Sequence, residues 1–158
     1  MSTESFVSQA AGVAPDGAVA AALAGRADIL ALTEATHQAI LRPREPGGIS
    51  HAERAGLACR IALLHGEQAL ADYYWALAGQ SGLADPSFGG GDDTRYRALL
   101  AHVDRVSTMP REASGADIQA LKQAGWSDAD IVRLSEIIAF LSYQLRVVAG
   151  LRLLDGLS

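Results

Sequence analysis

Apolar residues recur along this chain at intervals of three and four, and no convincing run alternates at intervals of two, so the pattern predicts helices and no sheet. The clearest block runs from Ser50 to Ala78. Ser50 with Glu53 three residues on has the form of a capping box, and Leu57, Ile61 and Leu64 follow at helical spacing. Gly66 interrupts the block, since glycine is costly inside a helix and useful at its end. A second helix follows, with Leu70, Tyr73, Tyr74 and Leu77 on its inner side, so the stretch predicts two short helices meeting at His65-Gly66. Upstream, Ala18 to Leu41 reads as alanine-rich helix, broken near Gly25-Arg26, with Ile29, Leu32, Thr36 and Ile40 as its apolar stripe.

Downstream, Gly79 to Asp93 is the longest stretch without helical period, and its SFGGGDD core reads as a solvated linker. Helix resumes from Thr94 to Val106 and stops before Met109-Pro110. Ser114 with Asp117, and Ser127 with Asp130, give two more capping signals; Gly125 stands where a helix-ending glycine belongs. The last helix, Asp128 to about Leu154, carries two apolar stripes. One is Ile131, Leu134, Ile138, Leu141, Leu145 and Val148; the other is Ile137, Phe140, Val147, Leu151 and Leu154. A helix apolar on two sides is central to its domain or packs on another subunit. At least six helices are expected.

With 158 residues, 1–158 is expected to form a single domain, residues 1–14 being an N-terminal arm whose Phe6 and Val7 are free to dock on a neighbour. Apolar residues make up 49% of the chain and the net charge is −5, with no basic patch, so nucleic acid is not an expected partner. The N-terminus lacks a basic leader, and no uncharged apolar run reaches the ~20 residues that span a bilayer, so no membrane association and a cytoplasmic location are expected. Cys59 is the single cysteine, which excludes an internal disulfide and any CxxC.

The Ser50–Ala78 stretch, with ERA near its start and ALLHGE at its bend, resembles the helical hairpin of the carboxymuconolactone decarboxylase and alkylhydroperoxidase D-like superfamily. The resemblance implies an all-α carboxymuconolactone decarboxylase-like helical bundle assembled as a homo-oligomer. Redox members carry Glu, eleven residues, Cys, two residues, Cys, three residues, His, the first Cys following a Gly that ends an apolar helix. With that Gly on Gly66, the corresponding positions here are Ala55, Glu67, Leu70 and Tyr74. The chain therefore resembles a branch without the CxxC, and a disulfide-cycling peroxidase is not expected: Glu67 forms no sulfenic acid and Leu70 resolves none.

Candidate chemistry gathers at the hairpin and on the last helix. His65 and Glu67 are the candidate acid–base pair, if both face one cavity; each also has an ordinary role at a helix end. Two side chains are too few for a metal site, so neither metal nor cofactor is expected. Tyr73 and Tyr74 are candidate pocket residues or core. Tyr143 and Arg146, three residues apart, are candidates for a ligand face: a guanidinium matches a carboxylate bidentately, though a structural ion pair with Glu53 or Glu136 is the preferred reading of Arg146. Cys59 reads as a small buried residue. The expected function is small-molecule binding or assembly without thiol chemistry, with the chain itself and a Cys-bearing relative as partners. The alternatives are a decarboxylase-type acid–base enzyme using His65 and Glu67, and a one-cysteine peroxidase-related protein.

Overall fold

The computed structural model describes residues 5–156, so residues 1–4 of the expected arm and the last two residues lie outside the description. The described residues are helical and contain no strand. In chain order the helices are α1 (Phe6–Ala11), α2 (Ala18–Ala24), α3 (Ala27–Leu41), α4 (His51–Leu64), α5 (Gln68–Ala78), α6 (Thr94–Thr108), α7 (Gly115–Gln123) and α8 (Asp128–Asp155). Single 3-10 turns stand at Gly82–Ala84 and Pro110–Glu112.

Local chemistry sets the helix ends. Ser50 and Glu53 form the reciprocal capping box that starts α4, Ser114 and Asp117 do the same for α7, and the Ser127 hydroxyl accepts from the Asp130 amide to start α8. The end of α4 is a Schellman turn: the Glu67 amide donates to the Ala62 carbonyl at 2.9 Å and the Gly66 amide to Leu63 at 3.0 Å. Gly66 sits there at φ +69°, a conformation that a side chain disfavours. The turn reverses the chain, and α5 folds back along α4 as the expected hairpin.

α8 is the axis of the fold, packing against α1, α2, α3, α4, α6 and α7. Its Ile137, Leu141 and Val148 are fully buried, opposite the fully buried Leu57, Ala58, Ile61 and Ala62 of α4. Among the described helices α8 alone has the length and apolarity to cross a membrane; in this structure its buried apolar residues face six neighbouring helices, while Val132, Leu153 and Leu154 are exposed. α1 docks on α5 and α8 of its own chain, burying Val7 and Ala11.

One expectation is corrected. On α3 the buried face is Thr33, His37 and Leu41, while Ile29 and Leu32 are 48% and 65% exposed. The core-facing side lies about a quarter turn from the expected stripe. Polar Thr33 can turn inward because its hydroxyl donates to the Ile29 carbonyl and meets the Tyr143 hydroxyl, both at 2.9 Å. The SFGGGDD stretch is an exposed loop, as expected, with only Gly90 buried, and its start is tied to α4. Arg60, on α4 and 2% exposed, uses its five N–H groups on Asp104 of α6 and on carbonyls of the 85–88 segment. Nε and Nη2 hold both Asp104 oxygens at 2.6 Å; Nη1 reaches the carbonyls of Asp85 and Phe88, and Nη2 that of Pro86. Arg54, 1% exposed on the same helix, holds the preceding loop by donating to the carbonyls of Ile40, Pro46 and Ile49 at 2.8–2.9 Å.

Candidate functional site

The sequence-predicted residues fall in three places. His65, Glu67 and Arg146 line one open pocket of about 280 Å³, together with Ser107, Ser142, Leu145 and Ala149. The Schellman turn brings the first two to the mouth, and α8 supplies the third. His65 Nε2 lies 3.0 Å from the Ser107 carbonyl. A carbonyl only accepts, so Nε2 carries the proton of the neutral ring and Nδ1 is left as its basic nitrogen. Glu67 is engaged elsewhere: its two oxygens accept from Arg152 at 2.9 and 3.0 Å. It occupies the N-cap position of α5 but makes no side-chain capping bond, so the ion pair to α8, rather than helix capping, is its role. No hydrogen bond joins His65 to Glu67 among the described residues.

The expected ion pair of Arg146 with Glu53 or Glu136 is not formed. Glu53 is taken by the Ser50 amide and by the Tyr96 hydroxyl, whose pKa that bond pushes up to about 12, and Arg146 donates only weakly, at 3.4 Å, to the Ser142 carbonyl. Nor does Tyr143 share the pocket of Arg146. It lines a separate groove of about 300 Å³ with Ile29, Leu32, Thr33, Thr36 and Phe140.

Tyr73 and Tyr74 belong to a third place, an aromatic cluster inside the bundle. The Phe6 ring lies 3.8 Å from that of Tyr73, and His37 sits among Phe6, Tyr73, Tyr74 and Phe140 with ring centroids 5.6–6.1 Å away. Tyr74 is fully buried and donates a short hydrogen bond to Gln144 Oε1; burial, partly countered by that bond, pushes its pKa far above the ordinary tyrosine range. Gln144 Nε2 and both ring nitrogens of His37 are buried without a hydrogen-bond partner among the described residues, the nearest acid being Glu34 at 3.7 Å from His37 Nδ1. Sequence reasoning missed His37 and Gln144. The signal was present in part, as a polar residue at the i+4 position from Phe140 on an apolar helix face.

Cys59 is 1% exposed among apolar neighbours, and burial first, with Asp72 adding to it, pushes its thiol pKa up, the opposite of a reactive cysteine. Among the described residues no group of three His, Cys, Asp or Glu side chains is arranged to hold a metal ion. The chain matches no protein-family model, no curated protein and no solved structure.

The buried histidines give the fold an acid-side weakness. Burial lowers the pKa of His37, with Glu34 opposing and Arg42 assisting, and burial also lowers that of His102, with Asp117 opposing and Arg105 assisting. An unfolded histidine takes up its proton near pH 6.5, while these folded ones wait until lower pH. Between the two the unfolded state binds more protons, so this contribution to stability is whole above about pH 6.5 and is lost as pH falls toward the folded values. Urea midpoints at pH 7.5 and 5.5 are expected to drop on acidification, and the drop to be smaller in His37→Leu. An unchanged pH profile in that variant counts against the assignment.

Proposed function

We propose that the chain is a member of the carboxymuconolactone decarboxylase and alkylhydroperoxidase D-like superfamily in which the thiol centre has been replaced. It acts as a cytoplasmic, homo-oligomeric small-molecule-binding or assembly protein, with a Cys-bearing relative as a second partner. The observation that carries this reading is how the hairpin uses the positions of the redox centre. Of the four positions corresponding to the redox centre, Ala55 and Leu70 are closed core, Tyr74 is fully buried against Gln144, and Glu67 is bound by Arg152. An acid–base enzyme is the second reading. It rests on the shared pocket of His65, Glu67 and Arg146, but Glu67 faces Arg152 instead of a proton-transfer partner.

Assembly is supported by α8. Val132, Tyr143 and Leu154 are spaced by eleven residues, about three turns, so they share one stripe, and they are 58%, 41% and 56% exposed. Apolar grooves flank it: the Tyr143 groove against α3, and another of about 390 Å³ where Leu151 and Leu154 meet Val19, Ala22 and Leu23 of α2. These exposed apolar side chains stand about 16 Å apart along α8, and together with the grooves they support an interface.

Two measurements test the reading. Sedimentation at micromolar concentration is expected to give a dimer or larger; a monomer speaks against assembly. Hydroperoxide with a dithiol reductant is expected to give no turnover, and Cys59→Ser to leave the oligomer unchanged. Peroxide consumption that disappears in Cys59→Ser would overturn the proposal and make Cys59 the centre of the site.

A further inference from the structure

We propose that the interior cluster around His37 and Gln144 is a binding site for a small, uncharged phenolic compound, whose ring takes the place held here by the phenyl group of Phe6. This names the ligand class for the small-molecule-binding reading and rests on it.

Two side chains carry the recognition. His37 is 2% exposed and Gln144 fully buried, and between them they leave an imidazole donor, an imidazole acceptor and an amide N–H without partners. Buried polar atoms in that state cost about 1–3 kcal/mol each, which a ligand that bonds to them recovers. The surroundings select its character. Phe6, Tyr73, Tyr74 and Phe140 surround the imidazole with ring faces and edges, which suits a planar aromatic body. Glu34, 3.7 Å from His37 Nδ1, opposes an anion, and the orphan N–H groups oppose a cation. A hydroxyl both donates and accepts, so on an aromatic ring it suits either the imidazole acceptor or the amide donor without bringing charge into the core.

Entry to this site requires the short α1 that carries Phe6 to lift from α5 and α8. α1 has six residues and ends at Gly12, after which the chain passes through Pro15-Asp16-Gly17 to α2. Its C-terminal turn is tied to α8 by Arg152, which donates to the Ala10 carbonyl at 3.2 Å while it grips Glu67. Glu67 therefore holds the latch of α1. The Phe6 ring, tilted 33° against Tyr73, stands in for the ring of the ligand.

The test is a titration with phenol, with toluene as the ring lacking the hydroxyl. In the wild-type chain phenol is expected to shift the His37 imidazole signals saturably and to speed amide exchange in α1. In Phe6→Ala, phenol is expected to bind at least tenfold more tightly than in the wild type and at least fivefold more tightly than toluene, a preference that disappears when Gln144→Leu is added. No saturable shift of His37 in the wild-type chain overturns the site. Equal binding of phenol and toluene by Phe6→Ala overturns the polar recognition and leaves only a hole. If Phe6→Ala does not fold, the wild-type titration decides alone. Failure here leaves the superfamily reading standing, since that reading falls on Cys59-dependent peroxide turnover.

Discussion

Replacing Arg60 with alanine is expected to destabilise the fold by about 3–5 kcal/mol, a large share of the roughly 5–15 kcal/mol that holds a domain together. The guanidinium is buried, grips both oxygens of Asp104 and takes three backbone carbonyls of the 85–88 loop. Truncation leaves Asp104 without its counter-charge, strips the carbonyls of their donor, and opens a cavity beside α4. Asp104→Asn is expected to cost less, because that side chain is 34% exposed and the amide still accepts one bond while water takes the rest. Urea denaturation followed by helical circular dichroism measures both. A shift below about 1 kcal/mol for Arg60→Ala would mean that the loop carbonyls rehydrate freely and that the pair is decorative.

Gly90→Ala is expected to be comparably damaging, at about 3 kcal/mol or more. Gly90 has φ +95°, and a Cβ there would stand 2.6 Å from the Arg97 amide nitrogen and 2.9 Å from both the Arg97 Cα and the Tyr96 carbonyl carbon. Those are backbone atoms of α6, so relief requires the helix to move. Conformational strain and overpacking each contribute about 1–3 kcal/mol at such a site. Gly89→Ala next to it is the control: its Cβ would meet nothing within 4 Å and its φ is not positive, so a change within about 0.5 kcal/mol is expected. Equal effects of the two substitutions would show that the close approach of loop and helix does not matter to stability.

The features legible from sequence were those written in neighbouring residues. Capping pairs, the Gly66 reversal and the long apolar α8 are local codes, and each appears where the spacing put it. What escaped depended on partners far along the chain. Arg54 and Arg60 were not singled out, because buried arginines are rare unless paired, and most of their partners are carbonyls, which leave no mark on sequence. The buried face of α3 was misplaced because Thr33 and His37 look polar until Tyr143 and the aromatic rings are brought beside them. At the candidate site, the nearness of His65 to Glu67 was legible and their lack of a bond was not, since Arg152 stands eighty-five residues away from Glu67. His37 and Gln144 were passed over for the same reason.

The grip of Arg54 and Arg60 on backbone carbonyls also bears on how this sequence can drift. Every amino acid carries the carbonyl that these arginines read, so the side chains of residues 40, 46, 49, 85, 86 and 88 are released from any duty in that contact. Divergent descendants should therefore vary freely at the solvent-facing positions of both loops while keeping loop length and both arginines. For this contact the selective constraint is concentrated on two positions of one helix, and apart from close-packed glycines such as Gly47 and Gly90 the loops they secure are left available for remodelling.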